Sequence, residues 1–279
     1  MKYCLKWNNR CSSLKDADEI SIKYIEDKGL VDFMGKYAEK RIIIRLQSTH
    51  FSDSEIAKLV AIRNQFPQYR FTVGIPAIDT NLTSRLQERK VPFYILTPVK
   101  DWETLNFLVC TLGVTDINIS GPLGFELPKV KRFLERFGKD VVVRATPNSI
   151  ATMFTITCPS LQCFFIRPND IDLYEPYIDV LEFDGIEHQD TFYKIYAKEK
   201  SFIGKLNQVI YDFDLPIDNM GLIPAFGERR IDCGRECLSG GRCKRCMTLA
   251  NISETMGNYV REKVKENLQK QIEEMSSEI

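Results

Sequence analysis

Residues 41–77, RIIIRLQSTHFSDSEIAKLVAIRNQFPQYRFTVGIPA, decide the fold. A β-branched run at 42–46 gives way to turn chemistry, then to an amphipathic segment opened by Ser52 or Asp53. A second β-branched and aromatic run at 71–75 stops at Pro76. This order predicts strand, helix, strand, with a serine or aspartate capping the helix. Strands joined through a helix pair in parallel.

The unit recurs along the chain. Runs at 3–7, 93–96, 117–119, 141–144, 164–166 and 180–183 bring the candidate strands to eight. Between them lie helical patterns such as DWETLNFLVCTLG (101–113), capped by Asp101 and closed by Gly113, and ELPKVKRFLERFG (126–138), closed by Gly138. About eight such units in roughly 200 residues predict an α/β fold, a (β/α)8 barrel of the TIM type, over residues 1–215. Five candidate strands run into a proline, at Pro76, Pro98, Pro122, Pro147 and Pro168. Proline has no amide to donate to a ladder, so the repeat marks one level, expected to be the C-terminal rim where barrel enzymes build their sites.

Arg144, in VVVRATPN, and Arg167, in FFIRPND, fall at corresponding points of that rim. Their guanidinium groups are candidates to clamp a carboxylate or phosphate; an ion pair with Glu182 or Asp184 is the competing reading. Glu182 and His50 complete the candidate substrate-binding set. His50 stands at a strand end, as a general base or as an ordinary surface residue. With His188 the only other histidine, a Ser-His-Asp triad or histidine-rich zinc site is hard to assemble. Neither GxGxxG nor GxxxxGK[ST] occurs, so the usual nucleotide-phosphate loops lack support.

Composition bounds the function further. The chain has 279 residues, 44% of them hydrophobic, and 38 basic against 38 acidic side chains. That balance gives no global attraction to nucleic acid or an anionic membrane. The first residues, MKYCLKWNNR, lack the apolar core of a signal peptide, and no run of apolar residues is long enough to span a bilayer. A cytoplasmic location without membrane attachment is therefore expected.

Past the barrel, residues 216–279 form an appendage. FIGKLNQVIYDF (202–213) reads as one more helix before it, and residues 253–274 as a charged terminal helix. In that helix Met256, Tyr259, Val260, Val264, Leu268 and Ile272 make an apolar stripe, expected to pack on the barrel or to meet a protein partner. Between these helices lies DCGRECLSGGRCKRC, with Cys233, Cys237, Cys243 and Cys246 inside fourteen residues. Thiolates this crowded repel one another, and a shared metal or iron–sulfur cluster would neutralise them. Two local disulfides or four separate thiols are the alternatives. Cys4, Cys11, Cys110, Cys158 and Cys163 are scattered and read as buried reduced thiols, with Cys4, Cys11 or Cys163 available as an extra ligand. Arg229, Arg230, Arg235, Arg242, Lys244 and Arg245 make the segment locally basic, to hold RNA phosphates or an anionic substrate or to offset the thiolates.

A barrel followed by this cysteine set, with LEFDG at 181–185 and Cys237, Ser239, Gly240 and Cys243 in CLSGGRC, resembles the collagenase-like peptidase family. The resemblance implies a cysteine-held [4Fe–4S] cluster and oxygen-independent hydroxylation of RNA bases or a ubiquinone ring, or a peptidase-like activity. Here roughly fifty residues separate the two motifs, and the family's His-Gly before the first cysteine is absent. Two functions follow: a redox or hydroxylation enzyme whose Arg144 and Arg167 position a small anionic substrate or RNA, or a binding or structural protein whose four cysteines hold zinc.

Overall fold

The computed structural model describes residues 1–8, 11–25, 27–137, 140–147, 164–183, 188–209, 217–222, 225–231, 233 and 245–277. Eight parallel strands close a barrel in sequential order: β1 (Lys2–Lys6), β2 (Glu19–Lys23), β3 (Arg41–Arg45), β4 (Arg70–Ile75), β5 (Phe93–Val99), β6 (Asp116–Ile119), β7 (Val142–Ala145) and β8 (Val180–Phe183). Closure runs through Lys2 to Leu5 of β1, opposite Val180 to Phe183 of β8. Around the sheet stand α1 (Asp27–Lys36), α2 (Asp53–Gln65), α3 (Thr80–Glu88), α4 (Trp102–Asn106), α5 (Gly121–Gly124), α6 (Leu127–Arg136), α7 (Ile171–Tyr174) and α8 (Gln189–Tyr193). Past them come α9 (Ala225–Ile231) and α10 (Arg245–Ser277).

Local chemistry explains the helix starts. At α2, Ser52 Oγ accepts from the Glu55 amide while Glu55 accepts from the Ser52 amide at 2.7 Å, a reciprocal cap. Asp79 and Asp101 accept from the amides three residues on, at 2.9 and 2.7 Å, and start α3 and α4. Gly113 ends the turn after α4 at φ +57°, a conformation that costs glycine little.

Alternation along the strands divides two interiors. Tyr3, Leu5, Ile20, Ile22, Ile42, Ile44, Val73, Ile95, Ile117, Val143, Leu181 and Phe183 face outward and join the helices in one large apolar core. Their neighbours in sequence face the lumen, where Cys4, Ile43, Tyr94 and Val180 form a small apolar waist. Charged residues lie on both sides of that waist.

The structure departs from the sequence expectations at four places. Glu19–Lys23 is a strand although its EISIK pattern is half polar, because Glu19, Ser21 and Lys23 fall on the lumen side and the lumen is polar. Residues 164–166 are buried but form no ladder; the Ile166 amide donates to the Pro147 carbonyl at 3.3 Å. Pro168 therefore opens a 3-10 turn rather than ending a strand, and Pro98 lies inside β5, at a register irregularity. Within 202–209 the only helical piece is the 3-10 turn Leu206–Gln208; 210–213 lie outside the described residues.

The fourth departure concerns α10. Met256, Tyr259 and Leu268 are exposed, whereas Ser253 and Gly257 are buried. The helix docks on the turn Asn219–Gly221 through small residues: a Cβ on Gly221 would lie 1.8 Å from the Ser253 carbonyl oxygen, and one on Gly257 would lie 2.3 Å from the Asp218 carboxyl carbon. Backbone contact this close excludes the larger stripe residues from the interface. Gly221→Ala should therefore cost more than about 1 kcal/mol and lower the melting temperature, with faster amide exchange confined to 249–260 as α10 lifts away. Unchanged melting and exchange would mean that α10 is not held there.

Candidate functional site

The lumen is organised by one buried cation. Arg144, on β7, is fully buried; its Nε donates to Asp116 Oδ1 at 2.8 Å, its Nη2 donates to Glu19, and its Nη1 lies 3.9 Å from Glu182 Oε2. Its guanidinium lies 5.0 Å from the centre of the Tyr94 ring. Below it, Arg41 binds both Asp116 oxygens, at 2.9 and 2.7 Å, and donates to Thr72. Above it, Arg45 Nη1 and Tyr94 Oη each reach a Glu182 oxygen at 3.4 Å. Three guanidiniums thus meet three carboxylates, and the network is formally neutral.

Titration follows this geometry. Burial alone would push the Asp116 carboxyl up, but Arg144 and Arg41, aided by the Thr115 hydroxyl, outweigh it and hold the group below its ordinary value. Burial, reinforced by Glu182 and Glu19, pushes the Cys4 thiol well up, so it is a neutral lumen residue. Cys11 is pushed up to about 11 by burial and by its contact with Asp190. Both are poor thiolate donors at neutral pH. Cys110, expected inside, is exposed, and Cys158 and Cys163 lie outside the described residues.

Of the residues singled out from sequence, the structure brings Arg144 and Glu182 together and leaves the others apart. The two-arginine clamp does not form. Arg167 lies in the outer layer, where Nε and Nη2 bind the two Asp170 oxygens at 2.6 Å each, Nη1 donates to Asn219 Oδ1 at 3.2 Å, and the Phe226 ring lies 5.1 Å away. The reason is the missing strand: without a ladder at 164–166, Arg167 has no lumen face to occupy. His50 is exposed in the loop between β3 and α2. Arg230 is withdrawn from the basic surface, buried with its guanidinium 3.9 Å from the centre of the Phe165 ring.

Cys237 and Cys243 lie outside the described residues, and Cys246 is the second residue of α10. Cys233, two residues past α9, is half-buried against the outer apolar core. Among the described residues no group of three or more potential ligands forms a metal site, and no helix is long and apolar enough to cross a membrane.

Sequence reading missed the cations that end the first three strands. Lys6, Lys23 and Arg45, together with Gln47, Leu96 and Thr97, line a cavity of about 370 Å3 at the C-terminal mouth, and among the described residues none in its lining is acidic. The signal was present as KYCLK, EISIK and RIIIR, where residues four apart on a strand share a face. A second cavity, of about 520 Å3, opens at the N-terminal end, but its lining carries both signs, with Glu19, Glu39 and Asp179 near Lys2, Arg41 and Arg70. By its described lining the mouth is the more positively charged of the two cavities, and it lies at the end of the barrel where enzymes of this fold build their sites.

Fold and lumen together define a (β/α)8 barrel with a buried ion network and a cationic C-terminal mouth. No family model and no curated protein matches the chain. Among solved structures, a 4-hydroxy-2-oxoglutarate aldolase/2-deydro-3-deoxyphosphogluconate aldolase is similar at 13% identity over 64% of this chain and 82% of its own, with a TM-score of 0.37. A cube-shaped, highly porous protein cage designed by fusing symmetric oligomeric domains is similar at 11% identity over 96% and 85%, with a TM-score of 0.43. Likenesses at this level carry no chemistry to this chain.

The depressed Asp116 carboxyl gives a pH prediction. Its contribution to stability is complete above the unfolded value near about 4 and is lost as pH falls through the lower folded value. The urea midpoint should therefore drop below about pH 4 in the wild type and drop less in Asp116→Asn. Equal slopes in the two proteins would remove Asp116 from the account of acid unfolding.

Proposed function

We propose that this chain is a (β/α)8 enzyme acting on a small anionic substrate at the C-terminal mouth, with Lys6, Lys23 and Arg45 as the groups that bind it. The observation that carries this reading is the convergence of three cations on one cavity whose lining, among the described residues, includes no carboxylate. Lysines supply point charges there and Arg45 a planar fork, a combination suited to carboxylate or phosphate. Glu182, directly beneath, is a carboxylate that meets the mouth through Arg45 and is the candidate acid or base. A small anion is favoured over RNA because the cations sit in a cavity rather than along an exposed stripe, and Arg230 is withdrawn from the cysteine segment's basic surface.

For the four cysteines the proposal is a [4Fe–4S] cluster, which would carry electrons for a redox reaction, accepting them from the substrate if that reaction is an oxygen-independent hydroxylation. Arg230, on the helix leading to Cys233, packs over Phe125 and Phe165, in segments that follow the C-terminal ends of β6 and β7. Cys233 follows that helix by two residues. A second reading, structural zinc, draws support from the half-burial of Cys233 in the outer layer and from the helices that bracket the segment, α9 and α10. For a protein partner, the exposed Ile252, Met256 and Tyr259 of α10 supply an apolar surface.

Two measurements test these readings. Titration calorimetry should show inorganic phosphate or a small carboxylate binding to the wild type, with affinity falling about tenfold or more in Lys6→Ala/Lys23→Ala. Absence of binding by either anion would overturn the mouth assignment. Anaerobic purification with metal analysis should give iron, sulfide and a broad visible absorbance that bleaches on reduction; zinc in a colourless protein would overturn the redox reading.

A further inference from the structure

We propose that the lumen layer directly beneath the mouth is the inner half of the same site, and that it takes the hydroxyl-bearing end of a small hydroxylated anion. This rests on reading the mouth as an anion site and adds the substrate class.

Strand register places the groups. Ser21 pairs with Lys6 across β1 and β2, Asn118 pairs with Arg144 across β6 and β7, and Glu182 pairs with Cys4 across β8 and β1. The residues flanking Ser21, Asn118 and Glu182 belong to the outer core, so all three side chains face the lumen. Among the described residues, Ser21 Oγ, Asn118 Oδ1 and Arg144 Nη1 are buried without a hydrogen-bond partner. The three residues carrying these atoms are at most 5% exposed. Buried polar atoms are normally satisfied, and three orphans in one lumen form a built set of contacts awaiting a polar group.

Their chemistry selects the ligand. Asn118 Oδ1 and the Glu182 carboxylate accept, Arg144 Nη1 donates, and the Ser21 hydroxyl does both. A bare anion has only acceptors and leaves Asn118 Oδ1 unmet; an alkyl chain meets none of the three unpartnered atoms. Carbon-borne hydroxyls donate and accept, and an anionic group at the other end of the same molecule reaches Lys6, Lys23 and Arg45 one step nearer solvent. Entry requires Arg45 to turn from Glu182, now 3.4 Å away, towards the ligand's anion.

The test is calorimetry on the full chain with matched pairs: glycerol 3-phosphate against propyl phosphate, and glycerate against propionate, with inorganic phosphate as reference. The hydroxylated member of one pair should bind about tenfold or more tightly than its partner, and the pair that shows this identifies the anion as phosphate or carboxylate. That preference should shrink towards unity in Ser21→Ala and in Asn118→Ala, while affinity for the unhydroxylated ligand stays unchanged. Circular dichroism and melting serve to check that each variant folds, and Ser21→Ala removes a hydroxyl that has no hydrogen-bond partner among the described residues. Equal affinities within both pairs, with the anions still bound, would overturn the inner-layer assignment and leave the mouth reading standing. If none of the anions binds, both fall.

Discussion

The buried guanidinium of Arg144 is the constraint on which the barrel's interior depends. It stands on β7 and engages carboxylates carried by β2, β6 and β8, so it joins strands that are not all neighbours in the sheet. A charge in a medium of low polarity is tolerated only with partners in place, and removal of one partner leaves the others exposed to the full desolvation cost. The network also disfavours a register error: a one-residue slip of β2, β6 or β7 would turn Glu19, Asp116 or Arg144 into the apolar outer core. The outer core supplies the bulk of the burial, and the lumen network specifies one alignment of the strands.

Function, on the reading proposed here, grows from how that network ends. Arg41, Arg144 and Arg45 balance Glu19, Asp116 and Glu182, leaving the lumen neutral. Lys6 and Lys23 stand at the mouth above that network and line the cavity there with Arg45. A polar lumen that continues into a cationic mouth is a different object from a barrel whose interior is filled with branched aliphatic side chains, because buried groups can be addressed from solvent by a ligand of the right polarity.

The C-terminal part obeys a separate rule. Close backbone approach at Gly221 and Gly257 attaches α10, and Arg167 with Asp170 and Asn219 makes the polar joint between the body and the turn beneath that helix. Arg167 thus belongs to the attachment of the appendage, as Arg144 belongs to the lumen, although the two stand in similar sequence surroundings.

The strand–helix alternation, the parallel barrel, the caps at Ser52 and Asp101 and the density of cysteines at 233–246 were all legible in the linear chain, because each depends on spacing within one segment. Glu182 and Arg144 were legible as candidates, but their ion pair depended on two strands meeting. β2 was hidden because a strand facing a polar lumen lacks a continuous apolar run, and 164–166 misled because an apolar run shows burial without showing a ladder. Likewise Lys6, Lys23 and Arg45 were passed over in the linear chain, because only barrel closure puts their side chains on one mouth. Sequence determined seven of the eight strands and their order; tertiary structure decided which face of each strand was the interior, since the sign and pairing of buried charge are settled only by residues far apart in the chain.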